Sequence, residues 1–256
     1  MLMSSLQTVR SIVSQFGPIS LDQMDAVKLM DRIDMKFILP FEQFKSLLPQ
    51  LAENYNVLTI DGNRVLSYQT DYYDTPDLKM FYDHHNGRLT RFKIRHREYV
   101  ESCLSFLEVK FRSNKGRILK KRIQYQNQDD HFFTGFIEKH TPYNPGKLTC
   151  NVVNHFNRFT LVDHGMHERV TADFNISFTD SSRNISLDGL VIVEIKQAHA
   201  DKTSLIYQIM KNNHVRPSSI SKYCMGVSLL NNKSKNNNFK HTLLQINKIS
   251  HVEFSA

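Results

Sequence analysis

RFKIRHREY, residues 91–99, is the stretch on which the fold turns. Side chains alternate across a strand, so this segment sets Arg91, Lys93, Arg95 and Arg97 on one face and Phe92 and Ile94 on the other. Pairing such faces side by side costs energy, because like charges directly opposite each other destabilise a sheet, and a polyanion would relieve that.

The same alternation recurs along the chain. In SFLEVKFR (105–112), Glu108, Lys110 and Arg112 oppose Leu107, Val109 and Phe111. In RIDMKFIL (32–39), Arg32, Asp34 and Lys36 oppose Ile33, Met35 and Phe37. Lys120 and Arg122 oppose Leu119 and Ile123, and Arg158 opposes Phe159. Arg169 and Asp173 oppose Val170, Ala172 and Phe174, while Glu194 and Lys196 oppose Val193 and Ile195. An antiparallel sheet with one side in water gives such a pattern. A solvated face, however, mixes signs and carries Ser, Thr and Gln. Here the acids on the charged faces are Asp34, Glu108, Asp173 and Glu194. A sheet curled into a barrel with this face inward makes a basic channel, and the apolar face then looks outward. Helices supplying Leu47, Leu51, Ile206 and Ile209 would cover it.

The remaining sequence fits an α+β domain dominated by antiparallel strands. Helical spacing is expected in residues 1–30, broken at Gly17-Pro18, and in 41–55, 131–140, 204–214 and 219–230. Strands are expected at 31–40, within 63–78, across 88–125 as hairpins with a turn at SNKG (113–116), and at 148–163, 167–178 and 189–197. The expected organisation is an N-terminal helical segment (1–24), one tunnel-like domain (25–230), and a polar linker and tail (231–256).

Composition bounds the partners. Of 256 residues, 40% are hydrophobic, enough for a globular core, and the net charge is +8. A basic balance points to an anionic partner. Three scattered cysteines without C-x-x-C argue against a disulfide framework and a zinc site. The polar N-terminus does not read as a signal peptide, and no apolar run approaches membrane-spanning length. A cytoplasmic location is therefore expected, with membrane association only through a partner protein. A carboxylate such as Glu194 amid cations either holds a divalent cation at phosphate oxygens or forms a salt bridge.

The segments DMKFILP, SYQTDYYDTPDL, RFKIRHREY, FLEVKFR, LKKRI, HFNRFTL, ERVTADFN, VIVEIKQ and SISKYCMG, in that order, resemble the VTC domain, the catalytic domain of polyphosphate polymerases. That domain belongs to the CYTH or triphosphate tunnel superfamily. The resemblance covers about residues 25–230 and implies an antiparallel β-barrel tunnel, flanked by helices, that acts with divalent metal on triphosphate or polyphosphate.

Carried over residue by residue, the resemblance implies phosphate contacts from Lys36, Arg95, Arg97, Lys110, Lys120, Arg158, Arg169 and Lys196. It implies Glu194 as the ligand of Mn²⁺ or Mg²⁺, with Lys222 closing one tunnel mouth. Arg91, Lys93, Arg112 and Arg122 match less closely and line the entrance or its rim. Glu108 and Asp173 are expected to hold metal through water or to orient cations. CYTH hydrolases begin with E-x-E-x-K, whereas this sequence has Arg32, Asp34 and Lys36 there. VTC-type domains share that loss, which weakens a second metal site and a place to activate water. The activity so implied is an ATP–polyphosphate phosphotransferase. The alternatives are a hydrolase of tripolyphosphate or nucleoside triphosphates and a non-catalytic polyphosphate sensor. No nucleic acid is expected, because few aromatics interleave with the cations. The lack of phosphate-sensing and membrane segments is expected of a stand-alone bacterial form.

Other signals are read as structural. There is no P-loop motif. Asp83-His84-His85 reads as a polar loop before Asn86-Gly87, and His164, His167 and Glu168 as a hairpin turn near Gly165. Tyr72-Tyr73-Asp74 reads as a capped turn with buried aromatics, and KGRILKK as part of the basic face.

Overall fold

The structure is a computed structural model describing residues 3–25, 33–125, 130–231 and 234–252. The chain runs through α1 (Ser5–Val13), β1 (Gly17–Ile19), α2 (Leu21–Asp25), β2 (Ile33–Pro40) and α3 (Phe41–Leu47), which a 3-10 turn at Leu48–Leu51 extends. Next come β3 (Tyr55–Leu58), β4 (Leu66–Asp74), α4 (Lys79–His85), β5 (Arg91–Tyr99), β6 (Leu104–Arg112) and β7 (Ile118–Gln124). The remainder is α5 (Asp130–His140), β8 (Thr149–Asp163), β9 (Glu168–Thr179), β10 (Asn184–Leu187), β11 (Leu190–Gln197), α6 (Leu205–Asn212), α7 (Lys222–Leu230) and α8 (Lys240–Ser250).

The strands form one large sheet in the order β2-β11-β9-β8-β4-β5-β6-β7, with antiparallel neighbours throughout this path. Register decides which side chains share a face. Arg95 stands opposite Glu108, Lys93 opposite Lys110, and Glu108 opposite Arg122. At the other end Glu194 stands opposite Lys36 and Thr171, and Arg158 opposite Asp173. The charged faces therefore align into one continuous face, as the alternation predicts.

The sheet is curled. Lys36 is on β2 and Lys110 on β6, six steps apart along the sheet. In a flat sheet that is about 29 Å. Lys110 nevertheless lies within electrostatic reach of Lys36, Asp34 and Glu194. The charged face is thus concave, and its two ends approach across the interior.

The barrel expected from the sequence is not strictly closed. The path ends at β2 and β7, and no ladder joins them among the described residues. The free edge of β2 is occupied otherwise: Phe37 bridges Pro217, and the Ser218 amide donates to the Lys36 carbonyl at 2.7 Å. The connection from α6 to α7 takes the edge that β7 would need for closure.

The convex face is apolar and covered by helices. Phe37, Leu39, Val193, Ile195, Phe159 and Phe174 pack against Val9 and Val13 of α1, Phe44 and Leu47 of α3, and Ile206 and Ile209 of α6. Farther round, Ile94, Leu107 and Val109 pack against Phe136 and Ile137 of α5. Burial of this face is the main stabilising contribution.

Inside the curl sits α7, buried from Tyr223 to Leu230. A helix apolar all round belongs in an interior. It approaches the sheet closely because of Gly226, where a Cβ would meet Val152 Cγ1 at 2.5 Å and Phe178 Cδ1 at 2.8 Å.

Several short elements differ from expectation. Asp83-His84-His85 ends α4 rather than forming a loop, with Asp83 held by Lys79 and by Arg88 at 3.1 Å. The stretch expected as linker and tail contains α8, whose Leu243 and Ile246 pack with Leu187, Leu190 and Ile38. Its polar exposed face hides this two-residue apolar stripe in the sequence. The expected helical reading of residues 26–30 and the position of Arg32 lie outside the described residues.

Candidate functional site

The concave face is organised by three carboxylates that each hold two cations. Glu194 receives Lys36 at 3.0 Å on one oxygen and Lys196 at 2.5 Å on the other. Glu108 pairs with Arg95 at 2.5 Å and with Lys120. Asp173 takes a forked contact from Arg158, at 2.5 and 2.8 Å, and a further contact from Lys222. Each group keeps one net positive charge. Glu108 and Asp173, expected to ligate metal through water or to orient cations, contact cations in this structure.

These pairings fix the protonation states. Burial alone would raise the three carboxyls. For Glu108, Arg95 and Lys120 reverse this and bring its pKa to about 2; for Asp173, Arg158 and Lys222 do the same, to about 2. Lys196 and Lys36 hold Glu194 well below the carboxylate range. For three lysines burial wins, and Lys93, Lys196 and Lys222 are each pushed down to about 8, whereas Glu108 and Asp173 hold Arg95 and Arg158 up.

Arg97, Lys93 and Arg91 on the face have no such partner among the described residues. Arg97 is 7% exposed and donates a 3.2 Å hydrogen bond to Thr70 Oγ1. Its guanidinium lies over the rings of Tyr68 and Phe156, 5.7 Å from each centroid. Burial and the cations of Arg95 and Arg158 weaken its hold on its proton. Lys93 reaches Ser221 Oγ at 2.8 Å, and Arg91 the Arg88 carbonyl at 2.8 Å. Among the described residues, neither has a carboxylate at ion-pair distance. Buried charge without a counter-ion, as at Arg97, is costly.

The structure brings the sequence-expected residues to one surface, though not to equal depth. Lys36, Arg95, Arg97, Arg158, Lys196 and Lys222 surround the interior. Lys110 is accessible and faces Lys36 across the gap. Lys120 and Arg122 are exposed on β7, with Arg122 over the Phe106 ring at 4.9 Å. Arg169 is half-buried in register with Lys196. Arg91 and Arg112 mark the end of β5 and β6 away from Arg97.

Some contributors have no signature in the sequence. Thr171 accepts from Lys196 at 3.2 Å, and Thr70 from Arg97. Tyr68 and Phe156 stack at 5.0 Å and carry Arg97, Arg158 and Lys222 over their rings. Ser221 both caps α7, accepting from the Cys224 amide, and holds Lys93. An aromatic or hydroxyl on a strand acquires this role only through its register.

Of the set-aside motifs, Tyr72 stands opposite Arg95 in register and bonds to it on this face, and Lys120 of KGRILKK also belongs to it, whereas Glu168 and Asp74 serve packing. Glu168 is buried and accepts from Tyr55 and from Gln197 at 2.7 Å. Asp74 accepts from the Thr75, Met80 and Phe81 amides and from the Tyr223 hydroxyl, tying β4 to α4 and α7. Among the described residues, no group of three His, Cys, Asp or Glu side chains could cage a metal ion. No described helix is long and apolar enough to cross a membrane.

Among solved structures the chain is similar to an adenylate-cyclase-type protein of Bacillus halodurans, at 13% identity over 76% of this chain and 96% of that one, with a TM-score of 0.49. It is also similar to an adenylyl-cyclase-type protein of Hippeastrum with a dominant triphosphatase activity, at 12% identity over 77% and 94%, TM-score 0.47. A third is a protein of Pyrococcus horikoshii, at 12% identity over 83% and 99%, TM-score 0.45. No curated protein matches the chain. Residues 31–231 match the VTC domain, and the chain belongs to the VTC domain family.

Proposed function

We propose that this protein is a metal-dependent polyphosphate polymerase that transfers the γ-phosphoryl group of ATP to the end of a polyphosphate chain. The observation that carries this reading is the state of the three concave-face carboxylates. Each is held by two cations and kept ionised at low pKa. Such carboxylates are poor bases and poorly suited to activating water. A terminal phosphate oxygen is already largely ionised and needs no base. The face therefore favours phosphate over water as acceptor.

In this reading Arg95, Arg158 and Arg97 grip phosphate oxygens by forked donation, and Lys36, Lys110, Lys120, Lys196 and Arg169 add charge around them. Lys222, Lys93, Arg91 and Arg122 hold the flanking phosphates. A terminal oxygen of the acceptor chain attacks the γ-phosphorus, forming a new P–O bond. The bond from the γ-phosphorus to the β,γ-bridging oxygen breaks, and its electron pair leaves with ADP. The surrounding cations offset charge that builds on the leaving diphosphate.

The residues fit a divalent ion of the kind the family uses. Glu194 aims its carboxylate at the concavity, and Mg²⁺-type sites need only one or two carboxylates when substrate phosphates complete the shell. Glu194 would hold Mn²⁺ or Mg²⁺, which would supply positive charge at the phosphates. Lys36 and Lys196 would be free to turn to phosphate.

The test is incubation of purified protein with ATP and Mn²⁺ or Mg²⁺, followed by assay for acid-labile phosphate chains. Chain growth with ADP release is expected. Orthophosphate release without chains would make the protein a hydrolase, and binding without turnover a sensor.

A further inference from the structure

A second concave surface adjoins the end of the cationic face. It is a cavity of about 1040 Å³ between α4, the connection from α6 to α7, α8, and the ends of β5 and β6. Arg91 and Arg112 belong to both surfaces. They are the outermost concave-face cations of β5 and β6, one strand repeat beyond Lys93 and Lys110, and they line the cavity.

The rest of the lining has the same sign. Arg216 comes from the connection and Lys248 from α8, both exposed, with His214 and His241 beside them. Among the described residues that line it there is no Asp or Glu. Arg216 and Lys248 have no carboxylate at ion-pair distance among the described residues. The cavity is a built feature. Gln245 of α8 donates to the Ile38 carbonyl at 3.2 Å, and Leu243 and Ile246 are buried beneath it. Burial and the charges of Lys93, Arg91 and Arg112 keep His84, at its inner wall, neutral. Residues 240–250, with Lys248 and His241, fall outside the stretch matched to the family.

We propose that this cavity is an anion-binding vestibule that holds the distal segment of a polyphosphate chain whose reacting end lies among Glu194, Lys196 and Arg95. The inference rests on the polyphosphate reading above. A linear polyanion is the ligand whose charge repeats over the whole path from Arg97 to Arg91, about 20 Å along β5, and onward to Arg216 and Lys248. Tethering the chain outside the reacting site raises its effective concentration there. The vestibule thus makes successive additions to one chain more frequent than release.

The experiment compares long-chain polyphosphate with tripolyphosphate as binding probes. The variants are the double substitution Arg216→Ala with Lys248→Ala, and Lys196→Ala separately. Both vestibule residues are exposed, so the fold is expected to survive. The double variant should bind long chains roughly tenfold more weakly, as expected for two solvated ion pairs, and bind tripolyphosphate as the wild type does. Lys196→Ala should weaken both probes. Unchanged long-chain affinity in the double variant overturns the vestibule while leaving the tunnel reading intact. An equal loss for both probes also overturns it, because the two surfaces would not then be separate subsites. Wild-type protein that binds neither probe overturns the polyphosphate reading itself.

Discussion

Lys36 on β2 and Glu194 on β11 stand opposite each other in register and pair at 3.0 Å, while Lys196 holds the second oxygen of the same carboxylate. Glu194 is thus the point where the sheet's charge pattern and the proposed metal chemistry meet. Glu194→Gln should abolish metal-dependent turnover, by about 100-fold or more. The same change frees two lysines, so tripolyphosphate binding without metal should be equal or tighter. Weaker metal-free binding, read by calorimetry, would mean that Glu194 orients the lysines and no more.

Arg97 separates binding from folding. Its charge is buried without a carboxylate at ion-pair distance among the described residues. Arg97→Met should leave the ligand-free melting temperature unchanged or raise it. It should also cost about 1.5–3 kcal/mol of polyanion binding. A lower melting temperature with full affinity would assign Arg97 to structure.

Asp74 is expected to behave in the opposite way. It is the common acceptor of the Thr75, Met80 and Phe81 amides and the Tyr223 hydroxyl. Asp74→Ala strands these donors and should destabilise the fold by about 3 kcal/mol or more. Denaturant unfolding measures the loss, and the remaining folded molecules should bind tripolyphosphate normally.

Gly226 links interior packing to the site. A methyl group there collides with Val152 and Phe178, so α7 must shift, and Lys222 begins that helix. Gly226→Ala should cost about 1–3 kcal/mol and weaken anion binding although residue 226 is not on the charged face. Full affinity in the variant would show that Lys222 is positioned independently of α7.

pH separates stability from affinity in sign. Burial lowers Lys93, Lys196 and Lys222 to about 8 in the folded protein. In the unfolded chain a lysine keeps its proton to about 10.4. Between those values the unfolded chain binds more protons, so the contribution of these lysines makes the ligand-free fold more stable as pH rises. Polyanion binding requires the protonated forms, so affinity should fall as pH rises through 8. Calorimetric affinity that stays constant from about pH 7 to 9.5 would exclude these lysines from the site.

The charged and apolar faces of the strands were legible because strand periodicity is two and needs no tertiary information. RFKIRHREY and VIVEIKQ read correctly for that reason. The helices on the convex face were legible from apolar spacing that the structure buries against Phe37, Val193 and Phe159. α8 was not, since only Leu243 and Ile246 of its eleven residues are buried and its other side chains are largely polar. α4 was not, because its cap comes from Asp74, upstream of the αL residue Leu78 that starts it.

By itself, the sequence determined which residues carry charge, that they share strand faces, and that the chain carries VTC domain motifs. Only the tertiary structure decided how those charges are partnered. Glu108, Asp173 and Glu194 each came to hold two cations through strand register and adjacency, with Lys222 supplied by the helix packed inside the curl. It also decided that the barrel stays open, since the backbone around Pro217 takes the hydrogen bonds on the free edge of β2. Which neighbour satisfies an edge is settled by competition in space, and strand alternation carries no record of it.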